Sequence, residues 1–224
     1  MKVTALIPAR KGSKGIKKKN IKEFCGKPLI QWTLNSALES KYIDQVIVST
    51  DCDQIASLAV KSGAEVPYIR PPNLSSDTAN MIDVVLDLLN KSPNIEDLLL
   101  LQPTSPLRDT NDINGIIEER QKYKSESAVS IVRSSNHPSL MFKLDKKNKL
   151  ISFLKKFKPL NRQSLEQTFS LNGAMYLATR TFLFREKSFI GDDTLGYLMP
   201  PERSLDIDSS FDWSLGEFLF KSTI

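Results

Sequence analysis

Histidine and cysteine are scarce in this chain of 224 residues, which contains one histidine, His137, and two cysteines, Cys25 and Cys52. A single histidine excludes a metal site built from several imidazoles, although a Ser-His-Asp triad through His137 stays formally open. The two cysteines lie far apart and neither belongs to a Cys-x-x-Cys pair. We therefore expect reduced thiols rather than a disulfide framework or a zinc site.

Long apolar runs are also missing. No run approaches the roughly 20 residues that a membrane helix needs. The first two residues lead straight into a short apolar segment, without the charged, apolar and small-residue regions of a signal peptide. These absences predict a cytoplasmic protein with no membrane partner.

The composition is that of an ordinary globular protein, with 40% hydrophobic and 25% charged residues. This excludes wholesale disorder, and the length suits one substantial core, so we expect a single domain over residues 1–224. The formal net charge of +5 is modest. Much of the excess lies in the first loop and in residues 143–158, which permits an anionic ligand without requiring nucleic acid.

The first half of the chain alternates between strand and helix patterns. Short apolar runs predict strands at residues 3–8, 44–50 and 65–70 and from residue 97, with amphipathic helices at residues 29–40 and 52–61 between the first three. Strands and helices in this order favour right-handed crossovers in a parallel sheet covered on both faces. The predicted fold class is therefore α/β with a mainly parallel sheet.

A basic, glycine-containing loop follows the first strand. It carries Arg10 and five lysines between Lys11 and Lys19, and it is interrupted by Gly12 and Gly15. Glycines let backbone N–H groups approach an anion closely while the cations supply charge, so the loop suits a polyphosphate. It is neither a Walker A motif nor a Gly-x-Gly-x-x-Gly fingerprint, and a solvated loop or a nucleic-acid patch remains open.

Two further loops follow predicted strands. Arg70 ends the third strand, where a guanidinium suits recognition of a base or phosphate, whereas Asp77 in the same loop can be explained as a helix cap. Gln102 interrupts a buried apolar run, and a buried amide without partners costs about 1–3 kcal/mol, so it has a structural or functional role. Residues 103–108 could alternatively be a rigid turn before the next helix.

Two aspartates near the carboxyl terminus form the second candidate site. In an extended segment Asp206 and Asp208 lie on one face, and two adjacent carboxylates repel each other unless a cation lies between them. Mg²⁺ meets that need while still accepting phosphate oxygens. Alternatively, Asp208 or Ser209 could be the N-cap of the last helix, with Asp212 completing a capping box, which leaves Asp206 unexplained.

Residues 141–154 alternate apolar and charged residues around a polar turn, which predicts an exposed hairpin within an insertion at residues 135–168. Its apolar face has too few neighbours to be covered locally. We therefore interpret the insertion as a protruding dimerisation arm of a homodimer.

Three motifs resemble those of the CMP-sialic acid synthetases (acylneuraminate cytidylyltransferases), in the same order: Ala-Arg-x-x-Ser-Lys-Gly from Ala9, Leu-Gln-Pro-Thr-Ser-Pro-Leu-Arg from Leu101, and Asp-Ile-Asp from Asp206. The resemblance spans nearly the whole chain. It implies a three-layer, Rossmann-like nucleotidyltransferase sheet and swapped dimers. The family often has a serine pair after Asp-Thr-Ala, where this chain has Asn80 and Met81.

The resemblance also assigns roles to individual positions. The expected CTP-binding residues are Arg10, Ser13, Lys14, Lys19, Asn20 and, beside the cytosine, Arg70. The expected sugar acid-binding residues are Gln102, Thr104, Ser105, Arg162, Gln163 and Asn172, with Lys143 reaching the site of the neighbouring subunit. The expected metal ligands for Mg²⁺ are Asp206 and Asp208.

These assignments predict Mg²⁺-dependent transfer of CMP from CTP to the anomeric hydroxyl of a nonulosonic (sialic-type) acid, with release of pyrophosphate. Arg10 and Lys19 would neutralise charge, and Asp208 would provide the route for the proton. Three alternatives remain: a cytidylyltransferase for an eight-carbon 2-keto sugar acid, a sugar 1-phosphate nucleotidyltransferase, and a nucleic-acid-binding α/β module with salt-dependent binding.

Overall fold

A six-stranded sheet with the order β10-β6-β9-β5-β1-β4 organises the computed structural model, which describes residues 2–13, 15–154 and 165–222. Within this sheet β9 is antiparallel to β5 and β6, and the other neighbours are parallel. The mainly parallel sheet is thus confirmed. The strands are β1 Val3–Pro8, β2 Glu23–Phe24, β3 Lys27–Pro28, β4 Ile43–Ser49, β5 Asp97–Leu101, β6 Ser127–Arg133, β7 Phe142–Leu144, β8 Leu150–Ser152, β9 Phe169–Thr179 and β10 Leu195–Leu198.

Helices cover both faces of the sheet. They are α1 Leu29–Leu38, α2 Asp53–Lys61, α3 Met81–Lys91, α4 Thr110–Tyr123, α5 Arg180–Glu186 and α6 Ser210–Ser222. Alternate residues of β1 explain the layering, because Ala5 and Ile7 pack with α1, α2 and α4, whereas Leu6 packs with α3 and α5. This confirms the three-layer α/β arrangement. In the described residues no helix is long and apolar enough to cross a bilayer.

The segment predicted as a third strand, residues 65–70, is not a regular strand. It follows the edge of β4 through two isolated parallel bridges, Ile47 to Glu65 and Thr50 to Ile69. Pro67 lies between the bridges and has no N–H group to donate to a ladder. The segment nevertheless carries Arg70 to the end of β4, where its N–H donates to Thr50 O at 2.7 Å.

A third apolar cluster joins the first loop to the carboxyl-terminal segment. Its buried members are Ile16, Phe24, Leu29, Ile207 and Trp213. The rings of Phe24 and Trp213 meet edge to face, with centroids 5.3 Å apart. These residues belong to neither of the clusters on the two faces of the sheet. They pack parts of the chain about 190 positions apart against each other.

The predicted hairpin is present as β7 and β8, which pair antiparallel with Leu144 opposite Leu150. Both leucines are about two-thirds exposed, at 65% and 67%. The exposed apolar face agrees with the expectation from the sequence. The dimer itself stays a prediction, as does the extent of the insertion, because residues 155–164 lie outside the described part of the chain.

Candidate active site

A cleft of about 420 Å³ opens beyond the carboxyl ends of β1 and β5. Because parallel strands end at the same edge, the loops that follow them meet there, as ligand sites of α/β sheets do. The residues that line it come from the basic loop, the edge of β4, the loop after β5 and the last motif: Pro8, Arg10, Gly12, Ser13, Gly15, Lys19, Asn20, Arg70, Met81, Gln102, Pro103, Thr104 and Asp208.

The backbone of Ile207 joins the three sequence motifs. Its N–H donates to Thr104 O at 2.8 Å, and its carbonyl accepts from Lys19 Nζ at 2.7 Å. Lys19 Nζ also donates to Asp208 Oδ1 at 2.8 Å. Lys19 is 9% exposed, so its charge is neutralised by these acceptors rather than by water. The basic loop and the aspartate pair therefore meet at this point of the structure.

Gly15 lies where the basic loop passes close to the last motif. A Cβ atom built on Gly15 would overlap the carbonyl oxygen of Asp208. A side chain at this position would push the two segments apart. The glycine is therefore needed for space, and it sets the width of the cleft at the aspartates.

Asp206 is partly buried, and its Oδ1 atom has no hydrogen-bond partner among the described residues. Burial raises the pKa of this carboxyl above its usual value, and the charge of Asp208 adds to the effect, while the nearby polar side chain of Thr104 opposes it. A carboxylate in this position is stabilised by a cation, which is consistent with a metal ligand.

The donor set fits Mg²⁺ bound together with a substrate. Over residues 2–13, 15–154 and 165–222, no group of three or more histidine, cysteine or acidic side chains could enclose a metal. Mg²⁺ commonly takes one or two carboxylates and completes its coordination with water and substrate phosphates. Asp206 and Asp208 can supply such a pair, with a phosphate in the adjacent cleft.

Ser209, rather than Asp208, caps the last helix. Asp212 Oδ2 accepts from the N–H groups of Asp208 and Ser209 at 3.1 and 2.7 Å and from Ser209 Oγ at 2.7 Å. The hydrogen bonds from Ser209 lower the pKa of Asp212. The capping alternative thus holds for Ser209 and leaves the Asp208 carboxylate, 75% exposed, available to the cleft.

Arg10 enters the cleft already paired with a carboxylate. Its Nη1 atom donates to Asp77 Oδ1 at 2.5 Å, and its carbonyl accepts from Asn20 Nδ2 at 3.0 Å. A phosphate bound here must replace or share this carboxylate. Ser13 lines the cleft, whereas Lys14 lies outside the described residues.

Arg70 lies on the floor of the cleft and is 4% exposed. Nη2 donates to Ser49 O at 2.8 Å, while Nε has no partner within the described ranges. Burial lowers the pKa of the guanidinium, and Asp51 partly offsets the effect. A buried cation with an unpaired N–H donor suits a ligand that carries several oxygen acceptors.

Gln102 lies between the cleft and a neighbouring pocket of about 370 Å³. Thr104 Oγ1 donates to Gln102 Oε1 at 3.4 Å, which leaves the amide N–H groups for a ligand. The second pocket shares Met81 and Gln102 with the cleft. Sequence reasoning missed its other lining residues because they come from separate elements: Asn80, Ile82, Leu100, Tyr176, Lys187, Ser188, Phe189 and Ile190.

Ser105 and Asn172, both expected at the sugar, are buried side chains. Ser105 is fully buried, and its Oγ has no partner in the described structure. It packs inside the turn after β5. Asn172 is 6% exposed, and its amide bonds to other buried groups. Neither residue is part of the described lining of the cleft.

The remaining expected sugar-binding residues lie on the arm or beyond the described residues. Lys143 is in β7, with Nζ 5.3 Å from the centre of the Phe153 ring, and does not line the cleft of its own chain as described. This position is compatible with the neighbouring-subunit role but does not test it. Arg162 and Gln163 fall within residues 155–164 and are not described.

Arg108 is a buried cation that sequence reasoning did not single out. It is 2% exposed, and Nη1 donates to Ala174 O at 2.9 Å and to Gln102 O at 3.3 Å. Burial lowers its pKa to about 10, although the charges of Asp112 and Asp109 act to raise it. Arg108 therefore ties the loop that carries Gln102 to the middle of β9. Its position at the end of the second motif is the sequence feature that could have identified it.

Comparison with known proteins shows similarity over nearly the whole chain. A family model described as cytidylyltransferase matches residues 4–192. The chain is 38% identical to CMP-N,N'-diacetyllegionaminic acid synthase of Legionella pneumophila, over 99% of this chain and 97% of that protein. It is 36% identical to N-acylneuraminate cytidylyltransferase of Escherichia coli O18:K1:H7, over 96% of this chain and 51% of that protein. The chain thus spans about half of the second relative.

Among solved structures, the fold is similar to that of CMP:2-keto-3-deoxy-manno-octonic acid synthetase complexed with CTP. The TM-score is 0.74 with 16% sequence identity, and the match covers all of both chains. At this level of identity the likeness concerns the fold alone.

Proposed function

Because this chain belongs to the cytidylyltransferase family, we propose that it transfers CMP from CTP to the anomeric hydroxyl of a nonulosonic acid and releases pyrophosphate. The observation that carries the proposal is the junction at Ile207, where the basic loop, the loop after β5 and the aspartate pair are joined by hydrogen bonds. CTP is a cytoplasmic nucleotide, so the reaction belongs in the cytoplasm.

The proposed reaction is an in-line displacement at the α-phosphorus of CTP. The anomeric oxygen forms a bond to that phosphorus while the bond to the β-phosphate oxygen breaks, and pyrophosphate leaves toward Arg10 and Lys19. The hydroxyl proton leaves toward Asp208, whose carboxylate faces the cleft. Mg²⁺ held by Asp206 and Asp208 would neutralise phosphate charge and fix the phosphates in position.

The direct test incubates the purified protein with CTP, Mg²⁺ and a panel of sugar acids and measures pyrophosphate release. The panel contains neuraminic, legionaminic and eight-carbon 2-keto acids, with a sugar 1-phosphate as a further acceptor. Turnover is expected with one of the nonulosonic acids. Release of pyrophosphate with the sugar 1-phosphate alone would contradict the proposal, as would salt-dependent oligonucleotide binding without any turnover.

Arg162 is proposed to bind the carboxylate of the acid. Arg162→Ala should raise the KM for the acid about tenfold or more, because a charge-assisted hydrogen bond contributes roughly 1.5–3 kcal/mol. The KM for CTP should stay within about twofold. Arg133→Ala, at the exposed end of β6, is the matched control. Equal effects on both substrates would count against a carboxylate contact.

The hairpin β7–β8 is proposed to form a homodimer. Its exposed apolar side chains lie on one continuous protrusion: Met141, Phe142, Leu144, Leu150, Ile151, Phe153 and Leu154. A contiguous group of exposed apolar side chains of this size marks an interaction site. A second copy covers it most simply, since a two-fold interface pairs the same patch on both subunits.

Placing charge on this surface should separate the subunits. Leu144→Asp with Leu150→Asp is expected to give a particle of 25.2 kDa by light scattering, where the unmodified protein gives about twice that mass. Each buried leucine contributes about 1.5–3 kcal/mol, which the aspartates would remove. Val60→Glu on α2, which is 58% exposed, is the control and should leave the mass unchanged. A monomeric unmodified protein would refute the dimer.

A further inference from the structure

We propose that Asn172 is a positioning residue that holds the metal-binding segment through Ser204. The proposal rests on the metal-dependent function above. It starts from β9, where the Asn172 Nδ2 atom donates to Ser204 Oγ at 2.9 Å. Ser204 Oγ in turn donates to Pro200 O at 2.9 Å. Ser204 lies two residues before Asp206, so this chain of bonds fixes the start of the segment that carries both aspartates.

The other end of the Asn172 amide is fixed in the core. Its Oδ1 atom accepts from Ser130 Oγ at 2.6 Å and from the N–H of Ala174 at 3.2 Å. An amide can accept at one end and donate at the other, which neither an aliphatic nor a carboxylate side chain can do. Asn172 therefore connects the rigid centre of the sheet, β6 and β9, to a segment without regular secondary structure.

Gly173 completes the same support. It has a φ of +78°, and a Cβ atom built on it would lie 3.6 Å from Asp206 Oδ2. The backbone of β9 therefore passes directly beside the carboxylate that Asn172 positions. Ser204 thus bonds to Asn172, and Asp206 lies beside Gly173, the next residue of β9.

Asp206 needs this support because its side chain has few attachments of its own. Its Oδ1 atom has no partner in the part of the chain that the structure describes. The segment is fixed downstream by the backbone N–H and carbonyl of Ile207, which bond to Thr104 and Lys19. The bond from Asn172 to Ser204 fixes it upstream. Removing the upstream bond should let the carboxylate turn away while the downstream attachment remains.

The test compares two serines that bond to the same amide. Ser204→Ala removes the link to the metal-binding segment, whereas Ser130→Ala removes the link to β6 and is the matched control. Mn²⁺ binding to the protein with CTP is measured by electron paramagnetic resonance, together with the KM for the acid. Ser204→Ala should weaken Mn²⁺ binding about tenfold, the lower end for residues that orient metal ligands. Ser130→Ala should change it less than about twofold.

Ser130 is the more deeply buried serine and also accepts from the N–H of Met175, so a loss of stability should be at least as large in the control and cannot imitate this difference. Equal Mn²⁺ affinities for the two variants would overturn the proposal, as would an unmodified protein that binds no Mn²⁺. Asn172→Ala gives a second comparison: a raised KM for the acid with unchanged Mn²⁺ affinity would make Asn172 a sugar contact instead. If the unmodified protein binds Mn²⁺ with CTP but turns over no acid, the proposed function fails and the Mn²⁺ comparison still decides the role of Asn172.

Discussion

Asp206→Asn and Asp208→Asn should each lower turnover by about 10³-fold or more while the protein still folds. A bound metal supplies several kcal/mol of charge stabilisation in the transition state, and each tenfold in rate corresponds to about 1.4 kcal/mol. Asparagine preserves the volume but removes the negative charge. Pyrophosphate release at saturating CTP and sugar acid measures the effect.

The stability of Asp206→Asn separates a chemical from a structural role. Burial raises the pKa of Asp206 in the folded, metal-free protein, so the fold disfavours the charged form. Replacing that charge by a neutral amide should leave the metal-free melting temperature at neutral pH equal to or above that of the unmodified protein. Asp44→Asn, exposed on β4, controls for the loss of one charge. Near-normal turnover in both aspartate variants would remove the metal assignment.

Gly15→Ala is expected to lower kcat about 100-fold with little loss of helix content. The added Cβ would overlap the carbonyl oxygen of Asp208, so either the basic loop or the aspartate segment must shift. A displacement of about 1 Å at reacting groups can cost roughly 100-fold in rate. Steady-state kinetics measures the loss, and circular dichroism follows the fold.

Gly12→Ala, in the same loop, is the comparison. A Cβ at Gly12 would meet Arg10 Nη1 at 3.8 Å, which is an ordinary contact. Its effect on kcat should therefore be clearly smaller than that of Gly15→Ala. Similar losses in the two variants would mean that general stiffening of the loop, rather than the contact with Asp208, is responsible.

The elements that could be predicted are those whose pattern is local. The apolar runs that became β1, β4 and β5 leave little choice but a buried strand, and a loop after such a strand has to lie at the edge of the sheet. The hairpin β7–β8 was visible as alternation around a polar turn. Asp206 could be recognised because helix capping accounts for Ser209 and Asp212 but not for it.

The elements that could not be predicted depend on distant partners. Insertion of β9 between β5 and β6 in the opposite direction is set by tertiary pairing, which no local pattern encodes. Pro67 broke the strand expected at residues 65–70. Asn172 and Gly173 look like a plain turn in sequence, and their contacts with Ser204 and Asp206 follow from packing across more than 30 residues.

The third apolar cluster has a consequence for the order of events during synthesis. Ile16 and Phe24 emerge from the ribosome long before Ile207 and Trp213, against which they are buried. The sheet can assemble from its earlier strands as the chain grows. Lys19, however, has neither Ile207 nor Asp208 to bond to until translation has passed both. A nascent chain stalled before Asp206 would therefore have its sheet strands but be unable to bind metal, and competence would arrive once residues 206–208 have emerged.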